Sequence, residues 1–350
     1  MRRGHQVIFV ISEKEIDAIA ASAYPTYRFE KIPSFAMPKP FSAQMIPFLI
    51  AFFRGVLLCR KWINEIGAKA VLGMGGFTST APLVAARTSG CASFIHESNA
   101  IPGRANLLNA KFADYALVGW EACQSYFPPG KTKVVGTPVR PSVANGESVA
   151  EARAYFLLRP DRFTVMVMGG SQGAKGINDA VTGMLEHFDP ELVQFLHLAG
   201  PGNADSVRDA YEAAGIQSYV AEFCSDMGRV YAASDLGITR SGASSLNEMA
   251  VAGLPGILIP YPHAADDHQT RNAEVFAASG ACLVRSQTEL NSLDLAHLVA
   301  ELGTDSERMQ AMREAMLALA PSRSALTIGD LIEEVSLDKA AAAGKGKARK

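Results

Sequence analysis

The chain alternates short apolar runs with amphipathic helical stretches along most of its length, and this alternation restricts the fold more than any other feature. Helices are predicted at 177–188, 245–252 and 269–279, among other places. Strands are predicted at residues 7–11, 70–72, 92–95, 116–118, 134–135, 164–168, 193–198, 236–239, 256–259 and 282–284. Alternating strands and helices indicate a parallel sheet with helices on both faces. Runs such as VMVM and GILI lack polar alternation, as expected of strands buried on both faces.

The alternation pauses once, at GTPVRPSVANGES, residues 136–148, whose two prolines and two glycines mark a linker. We therefore predict two Rossmann-like α/β domains, residues 1–142 and 143–320, that face a cleft. A C-terminal helix at 321–338 is expected to pack back on the first domain, followed by a disordered basic tail at 339–350. Clefts between domains are favoured ligand sites.

Charge and cysteine usage exclude several classes of protein. The formal net charge of −2 argues against general nucleic-acid binding. The five cysteines are scattered and form no C-x-x-C pair, so neither a disulfide framework nor a zinc site is expected. The loop 261–272 carries His263, Asp266, Asp267 and His268, but it is interpreted as a polar cap of the next helix because no further ligand accompanies it.

Two glycine-rich turns follow predicted strands, one in each half of the chain. GGSQGA occupies residues 169–174, and GMGGFTS occupies residues 73–79. Glycines at the start of a helix let backbone N–H groups approach a phosphate. Either turn could instead be a tight strand-to-helix connection with no ligand. The occurrence of one in each half favours a ligand held from both sides of the cleft.

Polar residues near these turns allow two interpretations each. Ser245-x-x-Glu248 is favoured as a capping box, although Glu248 could also accept hydrogen bonds from both hydroxyls of a ribose. Arg140 lies among the linker prolines and could stabilise a diphosphate leaving group, or be an ordinary surface arginine. The stretch HESN, residues 96–99, ends a buried strand where α/β folds place ligands, or it is a solvated loop.

Two segments in the first half of the chain bear on membrane contact and on whether the first domain is complete. Residues 45–58, MIPFLIAFFRGVLL, are too few to span a bilayer, which needs about 20 apolar residues. Lysine and arginine beside them suit an anionic membrane surface, but a buried core helix is an equally good interpretation.

Arg2-Arg3-Gly4 resembles the end of a helix, so we expect that the first strand, glycine turn and helix of the domain are absent. The alternative is that Gly4 simply precedes an edge strand.

Seven strings, taken in order, resemble the MurG family from Gly4 to about Ala281: LGMGGFTS, HESN, VGTPVR, GGSQGA, TRSGASSLNE, AGLP and HQTRNA. The resemblance implies the GT-B architecture, with a first domain that lacks its first βα unit. It also implies an inverting transfer of N-acetylglucosamine from its UDP donor to a lipid-linked muramyl-pentapeptide in peptidoglycan synthesis, and hence a part in cell shape and division. No metal or cofactor is implied.

The resemblance also implies site residues. Cys224 would pair its backbone with uracil, Glu248 would bind the ribose, and Gln269 and Asn272 would face the sugar. The full donor set would be Asn99, Arg140, Ser171, Gln172, Cys224, Arg240, Ser241, Ala243, Ser244, Ser245, Leu246, Asn247, Glu248, Gln269 and Asn272. The acceptor side would comprise Gly75, Gly76, His96 and Glu97. Implied partners are the lipid-linked acceptor, the anionic cytoplasmic face of the cell membrane and other cell-wall enzymes, with no nucleic acid.

Some features depart from the family pattern. The family's opening loop GGTGGH, whose histidine is a leading catalytic candidate, has no counterpart here, so no catalytic residue is assigned. Ser98, Thr137 and Leu198 replace a usual glutamine, asparagine and glutamine. Two alternatives therefore remain: an inactive relative that acts as a scaffold, and a different GT-B enzyme such as a diacylglycerol glycosyltransferase or a sugar-nucleotide epimerase. A nicotinamide-dependent dehydrogenase is disfavoured because no G-x-G-x-x-G fingerprint occurs.

Overall fold

The computed structural model describes residues 3–14, 22, 24–33, 38, 42–144, 146–170, 173–321 and 323–347. The chain divides into two compact units. The first consists of Met1–Ser98, Pro102–Val135 and Ala325–Lys350, and the second of Asn99–Ile101 and Gly136–Ser324. Strand pairing in both units is parallel, which confirms the predicted fold class.

The described part of the first unit contains two parallel sheets. The smaller sheet pairs β1 (Ile8–Ser12) with β2 (Arg28–Ile32). The larger has the order β3 (Ala70–Gly73), β4 (Ala92–Glu97), β5 (Tyr115–Val118) and β6 (Thr132–Val134). β2 was not predicted, because three of the five residues in RFEKI are charged and hide the apolar pattern.

Helices α1 (Met45–Ile66), α2 (Thr80–Ser89) and α3 (Arg104–Asn109) accompany these strands. One face of α1, including Val56, Cys59 and Trp62, packs against Ala81 and Ala85 of α2. The opposite face of α1 is exposed, so the core-helix interpretation holds for one side only. Within the described residues, no helix is both long and apolar enough to span a membrane.

The last helix, α13 in chain order, spans Ser324–Lys347 and covers one face of the larger sheet in the first unit. Its Ile328 packs in a cluster with Phe94 and Leu117. Lys339 Nζ lies 2.7 Å from Asp114 Oδ2 and donates to the carbonyl of Cys91 at 2.8 Å. The helix thus continues through residues expected to be disordered, because Lys339 is anchored and four alanines, at 340–343, have the highest helix propensity.

The second unit has one six-stranded parallel sheet. Its order is β12-β11-β10-β7-β8-β9, which is the strand order of a Rossmann fold read from the other edge. The strands are β7 (Phe163–Met168), β8 (Val193–Leu198), β9 (Ser218–Ala221), β10 (Leu236–Thr239), β11 (Gly256–Leu258) and β12 (Cys282–Val284). The short, half-buried edge strand β9 was missed from the sequence. The chain changes direction across the sheet between β7 and β10.

Helices fill the connections of the second unit. They are α4 (Pro141–Ala144), α5 (Val149–Tyr155), α6 (Lys175–Met184), α7 (Ala204–Ala213), α8 (Met227–Ala233), α9 (Ala243–Ala252), α10 (His268–Ala278), α11 (Ser292–Thr304) and α12 (Ser306–Ala318). Val165, Phe195 and Ile238 from the strands pack with Ile177 and Val299 from the helices in one buried core. This core fixes the strand ends from which the polar loops emerge.

Candidate functional site

The second unit brings two helix N-termini to the same edge of its sheet. β7 and β10 are neighbours, with Met168 opposite Thr239 at their carboxyl ends. The turn 169–174 leads from β7 into α6, and the turn 240–242 leads from β10 into α9. The first N–H groups of a helix have no partner within it, and the helix dipole makes this end positive. Two such ends beside one topological switch point form a favourable anion site.

The turn after β7 needs glycine for two separate reasons. Gly170 and Gly173 have φ values of +87° and +71°, in the region that favours glycine. A Cβ on Gly169 would lie 2.2 Å from the nitrogen of Ala174, and a Cβ on Gly173 would lie 2.7 Å from the carbonyl oxygen of Ala199. Ser171 and Gln172 lie outside the described residues, so their donor contacts stay predictions.

A buried polar cluster holds Ala199, the residue against which Gly173 of this turn packs. Asn178 Nδ2 donates to the carbonyl of Ala199 at 2.9 Å, and Asn178 Oδ1 lies 3.1 Å from His197 Nε2. His197 Nδ1 lies 3.0 Å from the hydroxyl of Tyr211. Burial lowers the pKa of His197 to about 3, so its ring is neutral near pH 7. The sequence carries no signal for this cluster, since one histidine in an apolar strand has no pattern of its own.

Helix α9 begins at Ala243 with Gly242 as its N-cap, and the favoured capping-box interpretation of Ser245 and Glu248 is therefore wrong. Ser245 already lies inside the first turn, so Glu248 lies one turn further along and cannot reach an N-cap residue. Glu248 is only 6% exposed. A carboxylate buried to this degree needs partners, and these come from outside the helix.

Arg140 and Tyr231 supply those partners. Arg140 Nε donates to Glu248 Oε1 at 2.7 Å, and Arg140 Nη2 donates to Oε2 at 2.6 Å. The hydroxyl of Tyr231, on α8, donates to Oε2 at 3.0 Å. Arg140 is thus neither an ordinary surface arginine nor separate from the ribose candidate. Tyr231 was not predicted, because an aromatic residue in a short amphipathic helix is indistinguishable from core.

Several other predicted donor residues use their side chains inside the second unit. Arg240 donates to the carbonyls of Ile259 at 3.0 Å and Pro260 at 3.1 Å, and burial lowers its pKa. The Ser241 hydroxyl donates to the carbonyl of Gln269 at 2.7 Å. Leu246 and Asn247 are buried, and Asn247 Nδ2 donates to the carbonyl of Ala243 at 2.7 Å. The side chain of Ser244 is exposed, and that of Ser245 is half-buried.

Asn272 joins the segment Asn99–Ile101 to the second unit. Its Oδ1 accepts from the nitrogen of Ala100 at 2.9 Å, and its Nδ2 donates to Asn99 Oδ1 at 3.1 Å and to the carbonyl of Ser241 at 3.0 Å. The side chain is fully buried, so it positions neighbouring segments instead of lying open to a sugar. Gln269 is half-buried, and its Oε1 accepts from the nitrogen of Tyr261 at 2.9 Å.

Cys224 lies in the loop after β9, beside Phe223, whose large apolar side chain is exposed. The Cys224 residue is half-buried, and burial raises the pKa of its thiol. A thiol in this state is mostly protonated near neutral pH and therefore a weak nucleophile. The predicted pairing of its backbone with uracil does not depend on the thiol and stays a prediction.

The predicted acceptor-side residues form a second polar cluster, in the first unit. Gly75 and Gly76 have φ values of +103° and +69°. Glu97 Oε2 accepts from the nitrogen of Gly103 at 3.1 Å and from Asn106 Nδ2 at 2.9 Å. His96 lies 3.3 Å from the Ser98 hydroxyl through Nδ1. His96 and Glu97 are both buried, so HESN is not a solvated loop.

Two asparagines on α3, not predicted, connect this cluster to the glycine turn. Asn109 Nδ2 donates to the carbonyl of Gly76 at 3.1 Å, and Thr80 donates to Asn109 Oδ1 at 2.7 Å. Asn106 Nδ2 also donates to the carbonyl of His96 at 3.0 Å. Their spacing of three residues places both on one helix face, which is the signal that could have found them.

The loop with two histidines and two aspartates forms local contacts. Asp267 Oδ1 accepts from the Thr270 hydroxyl at 2.6 Å, at the start of α10. Asp266 and Asp267 have positive φ values of +52° and +54°. Across the part of the chain that the structure describes, no three metal-ligating side chains come together.

Comparison with known proteins finds two family models that match successive parts of the chain. Residues 1–118 match the glycosyltransferase family 28 N-terminal domain, and residues 164–327 match the glycosyltransferase family 28 C-terminal domain. A protein of Geobacter sulfurreducens is 36% identical over 328 residues, covering 93% of this chain and 89% of its own length. A protein of Geobacter metallireducens is 34% identical over 331 residues, covering 94% of this chain and 90% of its own length.

Both relatives are named UDP-N-acetylglucosamine–N-acetylmuramyl-(pentapeptide) pyrophosphoryl-undecaprenol N-acetylglucosamine transferase. Among solved structures, MurG of Acinetobacter baumannii covers 95% of this chain and 92% of its own, with a TM-score of 0.74 at 24% identity. UDP-GlcNAc 2-epimerase from Neisseria meningitidis covers 93% of this chain and 91% of its own, with a TM-score of 0.65 at 11% identity. These structures share the fold.

Proposed function

The chain belongs to the family of the UDP-N-acetylglucosamine–N-acetylmuramyl-(pentapeptide) pyrophosphoryl-undecaprenol N-acetylglucosamine transferases, and on this premise we propose that it carries out their reaction. It moves N-acetylglucosamine from UDP-N-acetylglucosamine to the lipid-linked N-acetylmuramyl-pentapeptide. The observation that carries the proposal is in the second unit, where two helix N-termini and the buried carboxylate of Glu248 meet at the switch point of a sheet in the Rossmann order.

The donor is proposed to lie along the carboxyl edge of this sheet. Its diphosphate binds at the turn 169–174 and at the N-terminus of α9, where unpaired N–H groups and the helix dipole favour negative charge. Glu248 lies one turn into α9, and a carboxylate there can accept from the ribose hydroxyls. Arg140 is held beside that carboxylate and adds a positive charge near the phosphates.

The reaction is a single inverting displacement. The acceptor hydroxyl attacks the anomeric carbon and loses its proton to a base, the bond to the diphosphate oxygen breaks, and UDP leaves with the added negative charge. Groups that stabilise this charge lower the barrier most when they are already in place. Helix dipoles supported by the buried cluster around Asn178 and His197 meet that requirement without reorganisation.

The acceptor is proposed to bind in the first unit, at the glycine turn of Gly75 and Gly76. The space beside Gly76 is open, and the turn leads into a short 3-10 helix at Phe77–Ser79 and then into α2. Glu97 is committed to Gly103 and Asn106, and we assign it the role of holding the loop rather than of binding the acceptor.

A direct test is transfer to a lipid-linked acceptor. The purified chain is incubated with radiolabelled UDP-N-acetylglucosamine and a muramyl-pentapeptide pyrophosphoryl-prenol, and the label is expected in the lipid product. Label transferred only to a different lipid, such as diacylglycerol, would contradict the proposed acceptor. Release of UDP with epimerised sugar in the absence of acceptor would contradict the reaction class.

The exposed face of α1 is proposed to contact the cytoplasmic surface of the cell membrane. One stripe of this helix exposes five apolar side chains: Ile46, Leu49, Ile50, Phe53 and Leu57. The solvent-facing side of a helix that packs on a protein core usually carries polar residues instead. Arg54, Arg60 and Lys61 are exposed on the same helix. Apolar side chains beside cations suit an anionic lipid interface.

Replacing Ile50 and Phe53 together by serine is expected to weaken binding to vesicles of phosphatidylglycerol and phosphatidylcholine by about tenfold or more, since each apolar side chain loses its burial. The two side chains are 65% and 61% exposed, so the fold itself should be little affected. Cosedimentation measures the binding. Leu192→Ser, which removes an exposed leucine of the second unit, is the matched control. Equal binding by the double variant and the control would contradict the membrane contact.

A further inference from the structure

We infer that Tyr231 is a positioning residue for donor recognition: its hydroxyl holds the carboxylate of Glu248 so that one oxygen stays available to the ribose. This inference rests on the proposed function of Glu248. Tyr231 lies on α8, outside every motif that suggested a donor site, and its role is inferred from its hydrogen bond to Glu248.

The geometry separates the two carboxylate oxygens of Glu248. Oε2 accepts from Arg140 Nη2 at 2.6 Å and from the Tyr231 hydroxyl at 3.0 Å, whereas Oε1 accepts from Arg140 Nε at 2.7 Å. A carboxylate has about four lone-pair sites, two on each oxygen. Oε2 is thereby filled, and Oε1 keeps one site for a ligand hydroxyl. Tyr231 thus decides which oxygen can meet the ribose.

Tyr231 and Arg140 differ in how firmly they can hold the carboxylate. The Tyr231 residue is 2% exposed, whereas the side chain of Arg140 is 44% exposed. A phenol on a packed helix has two rotatable side-chain bonds, but an arginine has four and meets competition from water and ligand phosphates. Burial and the neighbouring carboxylate raise the pKa of Tyr231 well above its ordinary value, so its hydroxyl stays protonated and donates. Tyr231 is therefore the fixed partner of Glu248.

The test is Tyr231→Phe, which removes the hydroxyl and keeps the ring. Calorimetry gives the dissociation constants of UDP and 2′-deoxy-UDP for the full chain. A hydrogen bond to a charged group discriminates about tenfold to a hundredfold, so the wild-type chain is expected to prefer UDP by that factor. In the variant the preference is expected to fall to about threefold or less, with the affinity for 2′-deoxy-UDP unchanged.

Tyr211→Phe is the matched control. Tyr211 is also a fully buried tyrosine of the second unit, but its hydroxyl pairs with His197. Its loss should lower the thermal unfolding temperature to a similar extent. Because Tyr211 supports the turn proposed to bind the diphosphate, which both ligands carry, any loss of affinity should be equal for the two, and the preference for UDP over 2′-deoxy-UDP should stay at the wild-type value. A structural role for Tyr231 would give the same pattern as this control.

Each outcome decides the question. A reduced preference in Tyr231→Phe alone supports the inference. An equal loss of affinity for both ligands, or no change in either affinity, overturns the inference and leaves the proposed transferase reaction intact. If the wild-type chain itself does not distinguish UDP from 2′-deoxy-UDP, the ribose role of Glu248 falls together with the inference, whereas label transfer to the lipid acceptor still tests the reaction separately.

Discussion

Glu248→Gln is expected to lower kcat/KM for the UDP-sugar donor by about 100-fold, mainly through a higher donor KM. The substitution keeps the size of the side chain but removes the negative charge that Arg140 and Tyr231 contact and that is proposed to bind the ribose. A hydrogen bond to a charged group contributes about 1.5–3 kcal/mol, so the loss of one charged bond to the ribose accounts for a decrease of this size. A steady-state transfer assay with varied donor at saturating acceptor measures the effect.

The matched control is Glu147→Gln. Glu147 Oε2 pairs with Arg229 Nε at 2.7 Å in the same unit, so this variant also removes the carboxylate of an ion pair with an arginine. Partly exposed pairs contribute little, and kcat/KM is expected to stay within about twofold of wild type. Equal losses in the two variants would mean that the charge of the unit as a whole, rather than Glu248, governs donor binding. An unaffected Glu248→Gln would remove Glu248 from the donor site.

The second large effect is expected at the glycine turn of the proposed donor site. Gly173→Ala should lower the free energy of unfolding of the second unit by about 3 kcal/mol or more and abolish measurable UDP binding. The residue has φ +71°, which costs a non-glycine residue about 1–2 kcal/mol. The new Cβ would also lie 2.7 Å from the carbonyl oxygen of Ala199 and 2.9 Å from Gly200 Cα, and forcing atoms into packed space costs about 1–3 kcal/mol more.

Gly170→Ala separates these two contributions. Gly170 has a similar φ of +87°, but the space beside it is open, so only the backbone strain of about 1–2 kcal/mol is expected. Both tryptophans, Trp62 and Trp120, belong to the first unit, so hydrogen exchange of β8 is the suitable measurement for the second. Equal destabilisation by the two alanines would show that contact with Ala199 and Gly200 does not constrain the turn.

The elements that could be predicted are those whose signal is local. Strands such as β7 and β8 are buried on both faces, and an apolar run reports that burial directly. β2 was not predicted, because its charged residues pair with each other and with α1 instead of showing an apolar pattern. Arg28 Nη2 lies 2.7 Å from Glu30, and Arg28 Nη1 lies 2.8 Å from Glu65. Such pairing lets a charged segment join a sheet without an apolar pattern.

The sequence indicated which residues belong to the candidate site but not which partners they contact. Glu248 was favoured as a capping residue because S-x-x-E describes neighbours along the chain, but its arginine partner lies 108 positions away. Asn272 was expected to face a sugar, yet its amide holds residues 99 and 100, more than 170 positions away. Hydrogen-bond partners at such separations leave no periodic trace, so motif spacing identifies the residues and only the fold identifies what they bind.

The path of the chain determines which pieces can be exchanged between relatives. The first unit is completed by α13, whose Ile328 covers Phe94 and Leu117, and the second unit includes the short stretch Asn99–Ile101 held by Asn272. A fragment that ends at the linker would leave one face of the larger first-unit sheet uncovered. A fragment that begins at the linker would lack residues 99 and 100, which are hydrogen-bonded to Asn272. A chimera that combines the first unit of one family member with the second unit of another must therefore take its last helix from the parent of the first unit and its residues 99–101 from the parent of the second.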